Sequence, residues 1–472
     1  MAEPALGGDG ATAPADGARG YGRRASLLSL GVGATGLVTY LYFAIASHEL
    51  SRTDYGEIAI LWSAVFITVS TLQRPIEQLL SRTIAEHTAL GQSPRRPMRV
   101  AATIQAMVAA AFVGLALAFR GPLQDNLLSG NQTLYWVYVA SVTAYGASYF
   151  ARGFLAGSHR LPLYAGLILS ESLSRTMFPL AVALGIASGQ SAVALGIIAA
   201  PCLSLVVVPF AFTRSARAGV AQAKVEGATA AGKTVVTDSE FSLAHGGSFA
   251  AAVLGVMLAE QIFLNAGPLL VKANSGTAAA GFVFNILMIA RAPIQLFQAV
   301  QTSLLPHLTR LRSSGAQSDE DTFRASVRVT IMAVAGFAAL VGLAMLFAGP
   351  ALMHIAFGSK FDYPRGDLLI VTAGMGIYLS AGTLNQAALA QGQVRRAAGC
   401  WILCAVAFVI WCALPVLDEI RRVEVGYLGA SALLLTLLYA IYRAPVPRSE
   451  DMVEPGSPQE LEAQIAAGDE AG

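Results

Sequence analysis

Two arginines recur at matching places in two long apolar segments of the chain. Arg74 is followed directly by Pro75, and Arg291 lies two residues before Pro293. A guanidinium stays charged and can bind two oxygens of one anion at once, which suits a phosphate. Each proline removes a backbone hydrogen bond, so we expect a helix break beside a cavity at both places. The pattern predicts a paired site for an anionic group.

Amide side chains follow both arginines at helical spacing. Gln78 lies four residues after Arg74, Gln295 lies four after Arg291, and Gln298 continues the second stripe. Residues four apart share one face of a helix. A cation above a stripe of amides offers the donors and acceptors that a sugar phosphate needs.

Other charged residues also fall within apolar segments. Arg152 and Arg175 are further candidates for contacting an anion, and Glu77, Glu171 and Glu260 are the carboxylates. An ion at the centre of a bilayer costs at least ~2.5–3.5 kcal/mol, so each needs a compensating role. Two interpretations remain open for the carboxylates. They are either structural partners for arginine, as Glu171 and Arg175 would be, or groups that change partners or carry a coupled proton.

Three charged residues near the predicted membrane boundary have a simpler interpretation. Arg82 and Glu86 are four residues apart, and Arg152 lies near the end of its segment. Long side chains at such positions reach the interface along their apolar stems, which we expect for all three.

These residues must be positioned by membrane-spanning helices. A helix needs ~20 residues to cross the hydrocarbon core of a bilayer, and about twelve apolar stretches approach or exceed that length. Mean hydropathy is +0.58, and charged residues make up only 13% of the chain, which excludes a soluble globular class. The stretches are 26–47, 56–80, 99–119, 132–156, 162–187, 191–213, 247–270, 278–304, 325–348, 366–390, 396–417 and 424–443.

The basic residues predict the orientation. Of 31 lysines and arginines, 19 fall on the loops that share a side with the N-terminus, and seven fall on the opposite loops. Positive loops stay in the cytoplasm, so both termini are predicted to be cytoplasmic. The seven are Arg52, Arg120, Lys272, Lys360, Arg365, Arg421 and Arg422.

The chain divides into two halves at its longest polar interruption. We predict a first lobe over 26–213, a cytoplasmic linker over 214–242 and a second lobe over 243–445. Residues 1–25 and the acidic segment 446–472 are expected to be disordered tails. The recurrence of Arg74 and Arg291 in the second helix of each half suggests parallel repeats, an arrangement that suits two rocking lobes of a transporter.

Several short motifs, in this order, resemble the polysaccharide flippases of the multidrug/oligosaccharidyl-lipid/polysaccharide (MOP) superfamily. They are Asp54-Tyr55-Gly56, Arg74-Pro75 with Ser81-Arg82, Arg152-Gly153-Phe154-Leu155-Ala156-Gly157, Glu171 with Arg175, and Phe357-Gly358-Ser359-Lys360-Phe361. The resemblance extends over about residues 26–440.

This resemblance implies an all-α integral membrane protein with two six-helix lobes in a V, and a cationic cavity between them. It places Arg74 and Arg291 on facing cavity walls. The implied activity is movement of an undecaprenyl-(pyro)phosphate-linked oligosaccharide from the inner to the outer leaflet by alternating access. Implied partners are that glycan, membrane lipid and other polysaccharide-assembly proteins, in the plasma membrane of a bacterium.

Three alternatives remain. A MATE-type exporter of cations would share the fold but needs an acidic cavity, and the first apolar stretch, 26–47, contains no aspartate or glutamate. A membrane-embedded glycosyltransferase or polymerase needs a large outer loop with catalytic carboxylates. The longest outer loop expected here, about 349–365, offers only Asp362. The third alternative is a scaffold subunit that retains a transporter fold.

We expect no enzyme activity, no cofactor and no nucleic-acid partner. No nucleotide-hydrolysis or zinc-protease motif occurs in a suitable context. The four cysteines, Cys202, Cys400, Cys404 and Cys412, lie within predicted helices without a ligand pattern, so we interpret them as small apolar residues and not as metal ligands.

Overall fold

The computed structural model describes residues 15–90, 92–212, 243–313 and 317–444. Over 15–30, 211–212, 243–251, 294–313 and 317–320, and at a few single positions, it describes the backbone course alone. The α-helices are α1 (Ala15–Glu49), α2 (Arg52–Leu72), α3 (Arg74–Ala89), α4 (Arg95–Ala118), α5 (Gln132–Gly157), α6 (Leu161–Ala183), α7 (Gly189–Ser204), α8 (Leu243–Ser313), α9 (Gln317–Phe357), α10 (Arg365–Ala390), α11 (Val394–Ala413) and α12 (Glu419–Arg443).

The described residues form twelve helical passes, because α2 and α3 make one pass and α8 makes two. The two passes of α8 meet at Gly276, whose φ of 80° and ψ of −179° are the only non-helical values within it. A glycine is suited to this turn because φ is positive there. Eight of the described helical stretches are long and apolar enough to cross a membrane. The predicted all-α membrane bundle is confirmed.

The structure differs from the predicted boundaries in two places. Helix α1 begins at Ala15, so residues 15–25 are helical and not part of a disordered tail. Alanine and arginine favour helix, and they allow α1 to continue beyond its apolar stretch. Helix α9 extends to Phe357, so the loop before α10 is only 358–364. The predicted tail 446–472 and the whole of the predicted linker 214–242 lie outside the described residues.

The helix break predicted at Pro75 is present, whereas the one predicted at Pro293 is not. Helix α2 ends at Leu72 and α3 begins at Arg74, with Gln73 between them and Pro75 in the first turn of α3. Proline is tolerated in a first turn because that amide has no helical partner. In α8 the backbone remains helical through Pro293.

The helices pack as two lobes. Helices α1–α7, the N-lobe, contact mainly one another, and so do α8–α12, the C-lobe. The lobes meet chiefly where α2 packs on α8, and α1 also contacts α8 and α9. Several described contacts between them lie at the end of the bundle that holds the α1–α2 turn and Gly276. The predicted orientation places this end outside the cell, and we call it the outer end.

Candidate functional site

A cavity of about 210 Å³ lies between the two lobes. It occupies the middle of the bundle, below the outer contacts, and helices α1, α2, α3, α5 and α8 contribute to its walls. Two of its walls carry an arginine each, and most of the remaining lining is aromatic or amide. The lining residues are Gly36, Thr39, Tyr40, Phe43, Trp62, Phe66, Ser70, Arg74, Tyr149, Gln261, Leu264, Asn265, Met288 and Arg291.

Arg74 reaches the cavity from the helix break. It is the first residue of α3, and its side chain remains 33% exposed. Its Nη1 lies 3.8 Å from Oε2 of Glu260 on α8, whose side chain is 25% exposed. This ion pair joins the N-lobe to the C-lobe. It is long for a hydrogen bond and open to the cavity, so an entering anion can compete with Glu260 for Arg74.

Arg291, on the second pass of α8, lines the same cavity and is held without a carboxylate. It is buried, and its guanidinium donates to the carbonyl of Leu264 and to Oδ1 of Asn265 at 2.8 Å. The guanidinium also lies over the Phe284 ring, 4.4 Å from the ring centre. Among the described residues it forms no ion pair, and its Nε has no hydrogen-bond partner. Its positive charge is therefore directed at the cavity without being neutralised.

Two amides extend the polar surface beside Arg291. Asn265 Nδ2 donates to Oε1 of Gln261 at 3.0 Å, and both side chains line the cavity. The sequence analysis did not select these residues. Their spacing of four places them on the same helix face as Glu260 and Leu264, so the polar pattern of the seventh pass could have revealed them.

Arg152 and Arg175, predicted to contact substrate, do not line this cavity. Both pair with Glu171, at 2.5 Å from Arg152 Nη2 and 3.4 Å from Arg175 Nη2. Ser148 also donates to Glu171 at 3.0 Å, and Arg175 donates to Tyr145 at 2.7 Å. Arg152 therefore turns inward and does not reach the membrane interface as predicted, because a buried carboxylate compensates its charge.

This buried cluster of Arg152, Arg175 and Glu171 supports the cavity wall from behind. Arg175 lies 4.6 Å from the centre of the Trp62 ring, and Arg152 lies 4.3 Å from that of Tyr149. Both rings line the cavity. The two arginines thus fix aromatic side chains of the cavity wall through cation–π contacts.

Replacing Glu171 with alanine should destabilise the protein strongly, because two buried arginines would lose their only described carboxylate. Removing one partner of a buried ion pair costs about 3–5 kcal/mol. We expect a clear drop in the melting temperature of the detergent-purified protein. The control is Glu86→Ala, which breaks an ion pair with Arg82 that is 70% and 54% exposed and is worth about 0–1 kcal/mol. Equal shifts for the two variants would contradict a structural role for Glu171.

The other predicted site residues face elsewhere or are not described. Glu77 accepts a hydrogen bond from the Tyr164 hydroxyl at 3.0 Å, and with the exposed Gln78 it lines a second recess of about 440 Å³ between α3, α5 and α6. Both leave the central cavity because α3 packs on α5 after its first turn. The side chains of Gln295 and Gln298 lie outside the described part of the structure. Arg82 and Glu86 are exposed and paired, as predicted.

The outer end is closed above the cavity by polar contacts between the lobes. Tyr55 of α2 donates to Asn285 of α8, and the Asn285 amide donates to Tyr363 at 2.9 Å. Phe361 packs near both tyrosine rings. Two motifs that were far apart in the sequence, around Tyr55 and around Phe361, therefore meet in one structure, which we call the outer gate.

Two lysines strengthen the outer gate by capping helix ends of the other lobe. Lys360 donates to the carbonyls of Ser47, His48 and Leu50 at the end of α1, at 3.3, 2.5 and 2.6 Å. Lys272 donates at 2.6 Å to the last two carbonyls of the π-helical turn Pro122–Leu127. The ammonium groups satisfy carbonyls that have no partner within their helices and complement the negative helix end.

Solved structures with this fold are MATE transporters. An inward-facing multidrug resistance transporter of the MATE family, in the MOP superfamily, has a TM-score of 0.60 at 12% identity and covers 90% of this chain and 99% of that chain. A eukaryotic MATE transporter has a TM-score of 0.59 at 13% identity, with coverage of 90% and 96%. A mutant of a Vibrio cholerae MATE transporter has a TM-score of 0.53 at 15% identity and covers 89% of this chain and 97% of that chain. The chain is an integral membrane protein with a MATE-like fold.

Sequence relatives do not name an activity. An uncharacterised protein of Mycobacterium tuberculosis is 24% identical over 404 residues, which covers 82% of this chain and 85% of the relative. An uncharacterised protein of Mycobacterium bovis matches to the same extent. No protein-family model matches the chain.

Proposed function

We propose that this protein moves an undecaprenyl-(pyro)phosphate-linked oligosaccharide from the inner to the outer leaflet of a bacterial plasma membrane by alternating access. In this proposal both termini are cytoplasmic, and the partners are the lipid-linked glycan, membrane lipid and proteins that assemble surface polysaccharide. The proposal rests on a MATE-like fold in which a cavity between two lobes carries an uncompensated arginine.

The observation that carries the proposal is that Arg291 has no anionic partner among the described residues. A cation buried in a membrane protein normally has an anionic partner or marks a ligand pathway. Arg291 has no described carboxylate partner and lines the same cavity as Arg74, whose ion pair with Glu260 is 3.8 Å long. A phosphate or pyrophosphate would receive donors from both guanidinium groups.

The rest of the cavity suits the first sugar of such a lipid. Gln261 and Asn265 offer amide donors and acceptors, while Trp62, Phe66 and Tyr149 offer ring faces. At about 210 Å³ the cavity is smaller than the ~300–1,000 Å³ typical of ligand pockets, so this conformation holds a headgroup only in part. Binding of the whole saccharide then requires the lobes to separate on the inner side.

The interlobe ion pair gives the movement a physical basis. A phosphate bound to Arg74 replaces Glu260 as its partner, which removes one attraction between the lobes. The lobes are then free to rock, the outer gate opens, and the headgroup reaches the outer leaflet. When the headgroup leaves, Glu260 pairs with Arg74 again and favours the return to the inner side.

A cation exporter is the competing function, because the solved neighbours are MATE transporters. Two features favour a cation: the carboxylate of Glu260, which is 25% exposed and pairs with Arg74, and the aromatic rings that line the cavity. The charged residues of the described lining are Arg74 and Arg291, and Glu260 adds one negative charge beside it, so the net charge is positive and repels an organic cation.

The deciding experiment reconstitutes the full chain in vesicles with a fluorescent undecaprenyl-pyrophosphate saccharide. A quencher that cannot cross the membrane then measures how fast the saccharide changes leaflet. We expect faster movement than in protein-free vesicles, loss of that movement in Arg74→Ala and Arg291→Ala, and unchanged movement in Arg82→Ala. In Arg82→Ala the lost arginine is exposed and outside the cavity.

Two results would overturn the proposal. One is wild-type movement no faster than in protein-free vesicles, together with export of an organic cation in a parallel assay. The other is movement of the saccharide that all three variants retain in full, because an anion site at Arg74 and Arg291 would then play no part.

A further inference from the structure

A second polar cluster lies inside the C-lobe, between α10 and α12. Glu424, Tyr427 and Ser431 occupy one face of α12, since they are three and four residues apart. The opposing face of α10 contains Gly374 and Tyr378. A Cβ on Gly374 would lie 2.7 Å from the Tyr427 ring, and the rings of Tyr378 and Tyr427 stack with centres 6.2 Å apart. The two polar faces are therefore in direct contact.

The side chains of this cluster have no partners among the described residues. Glu424 is 1% exposed, and neither of its carboxyl oxygens accepts a hydrogen bond. The hydroxyl groups of Tyr378, Tyr427 and Ser431 are also buried and without a partner. Four unsatisfied side chains on two packed faces are unusual, because buried polar groups are nearly always hydrogen-bonded.

No cation forms an ion pair with Glu424 among the described residues. Arg422 is nearby on α12, but its guanidinium donates to the carbonyls of Cys412 at 3.2 Å and Leu417 at 2.6 Å. Asp367, near the start of α10, and Asp418, just before α12, would repel a carboxylate at this position. Arg421 would attract it, but the two side chains form no ion pair.

A charged Glu424 in this environment would cost several kcal/mol, and a buried acid normally avoids that cost by becoming neutral. We infer that Glu424 is a proton-binding site of the C-lobe: its carboxyl is protonated in this conformation and exchanges its proton with the outer aqueous phase as the lobes rock. The Glu424 carboxyl gives its proton to water as a hydronium ion when the outer end opens, and the carboxylate takes a proton back from water in the same way.

The cluster connects this acid to the central cavity. The rings of Tyr378 and Tyr427 pack near Phe263 of α8, with centres 5.8 and 6.4 Å away. Phe263 precedes Leu264, whose carbonyl accepts a hydrogen bond from Arg291. Protonation of Glu424 thereby acts on the same helix contacts that hold the cavity wall. The inference rests on the proposed function in one respect, because it supplies the proton that would drive an uphill movement of the lipid-linked saccharide.

The titratable and charged groups around Glu424 come from every element packed on it. On α10 they are Asp367 and Tyr378, on α11 the thiol of Cys412, before and along α12 Asp418, Arg421, Arg422 and Tyr427, and across the cluster on α8 Arg291.

The test compares infrared spectra of the full-length protein in lipid nanodiscs at a series of pH values. A protonated carboxyl gives a carbonyl stretch that a carboxylate lacks. We expect this band in the wild type at neutral pH, its loss in Glu424→Gln, and its retention in Glu86→Gln, where the altered acid is exposed. Glu424→Gln has nearly the same shape as the protonated acid, so we expect it to fold with an unchanged melting temperature at low pH.

Two outcomes would overturn the inference. A band that survives in Glu424→Gln would place the proton elsewhere. A wild type without the band, but with a sodium-dependent rise in melting temperature that Glu424→Gln abolishes, would make this a sodium site. The spectra require no transport substrate, so they remain decisive even if the protein moves no lipid-linked saccharide. If the protein does move the saccharide, a pH gradient should accelerate that movement in the wild type and leave its rate unchanged in Glu424→Gln.

Discussion

Replacing Arg291 with glutamine is expected to weaken binding of an undecaprenyl-pyrophosphate saccharide by about ten- to hundredfold. Hydrogen bonds to a charged group contribute about 1.5–3 kcal/mol, and each 1.4 kcal/mol changes affinity tenfold. Arg291 has this large effect because no described carboxylate neutralises it in the absence of a ligand. Its charge is fully available to the incoming phosphate.

The effect should have the opposite sign at Glu260. Glu260→Gln removes the group that competes with an anion for Arg74, so we expect equal or tighter binding of the same saccharide. Titration calorimetry or fluorescence anisotropy on the purified variants in nanodiscs measures both changes. Tighter binding in Arg291→Gln, or weaker binding in Glu260→Gln by tenfold or more, would show that the cavity does not select an anion.

A third variant separates charge from geometry at Arg291. Lysine keeps the positive charge but has three donors and no planar fork, so it cannot bond Leu264 and Asn265 and also bind two oxygens of one phosphate, as a guanidinium can. We therefore expect Arg291→Lys to bind with intermediate affinity. Full recovery by lysine would indicate that a point charge alone is needed.

The contrast between Arg291 and Arg175 shows what the sequence could and could not reveal about the site. Hydropathy predicts the passes well, because each helix must cover the bilayer with apolar residues; the stretch 366–390, for example, is α10 to within one residue. Hydropathy cannot predict which way a membrane arginine points, because both the cavity and the lobe interior are shielded from lipid. Arg175 and Arg291 look alike in the chain, yet one pairs with Glu171 and the other faces the cavity.

The sequence also could not predict the ion pair between Arg74 and Glu260, which joins the two lobes. The sequence identifies Glu260 as an acid within an apolar stretch. Its proximity to Arg74 depends on how α8 crosses the break after α2. The same limitation concealed Glu424, which lies at the edge of its apolar stretch. Its lack of partners becomes visible only when α10 and α12 are packed together. Local pattern thus predicts helices and candidate charges, while tertiary packing determines which charges are compensated.

The residue with the largest expected effect on conformation is Gly56, in the outer gate. Helices α2 and α8 approach so closely there that a Cβ on Gly56 would lie 1.9 Å from the carbonyl oxygen of Thr277. The obstructing atom is backbone, so it cannot turn aside as the end of a side chain could. Gly56→Ala should therefore force the helices apart and disfavour the closed outer gate by about 1–3 kcal/mol, the usual cost of overpacking.

That cost corresponds to a shift of about five- to 150-fold in the ratio of closed to open outer gates. Double electron–electron resonance measures this shift as a change in the distance between two spin labels. The labels are attached at Glu49→Cys and Arg365→Cys, which are exposed and on different lobes. The native cysteines are removed from the background. We expect a longer distance in Gly56→Ala than in the unsubstituted protein. The matched control is Gly114→Ala in α4, where a Cβ would meet nothing within 4 Å.

An unchanged distance in Gly56→Ala would mean that α2 and α8 do not control the outer gate. A longer distance with slower saccharide movement is the result that alternating access requires, because a protein that cannot close outside cannot return its cavity to the inner leaflet. Lys360→Met should shift the distance in the same direction by a smaller amount, since it removes the ammonium cap from α1 without inserting an atom between helices. Tight packing at Gly56 and charge at Lys360 would then contribute to one closed state from two sides of the gate.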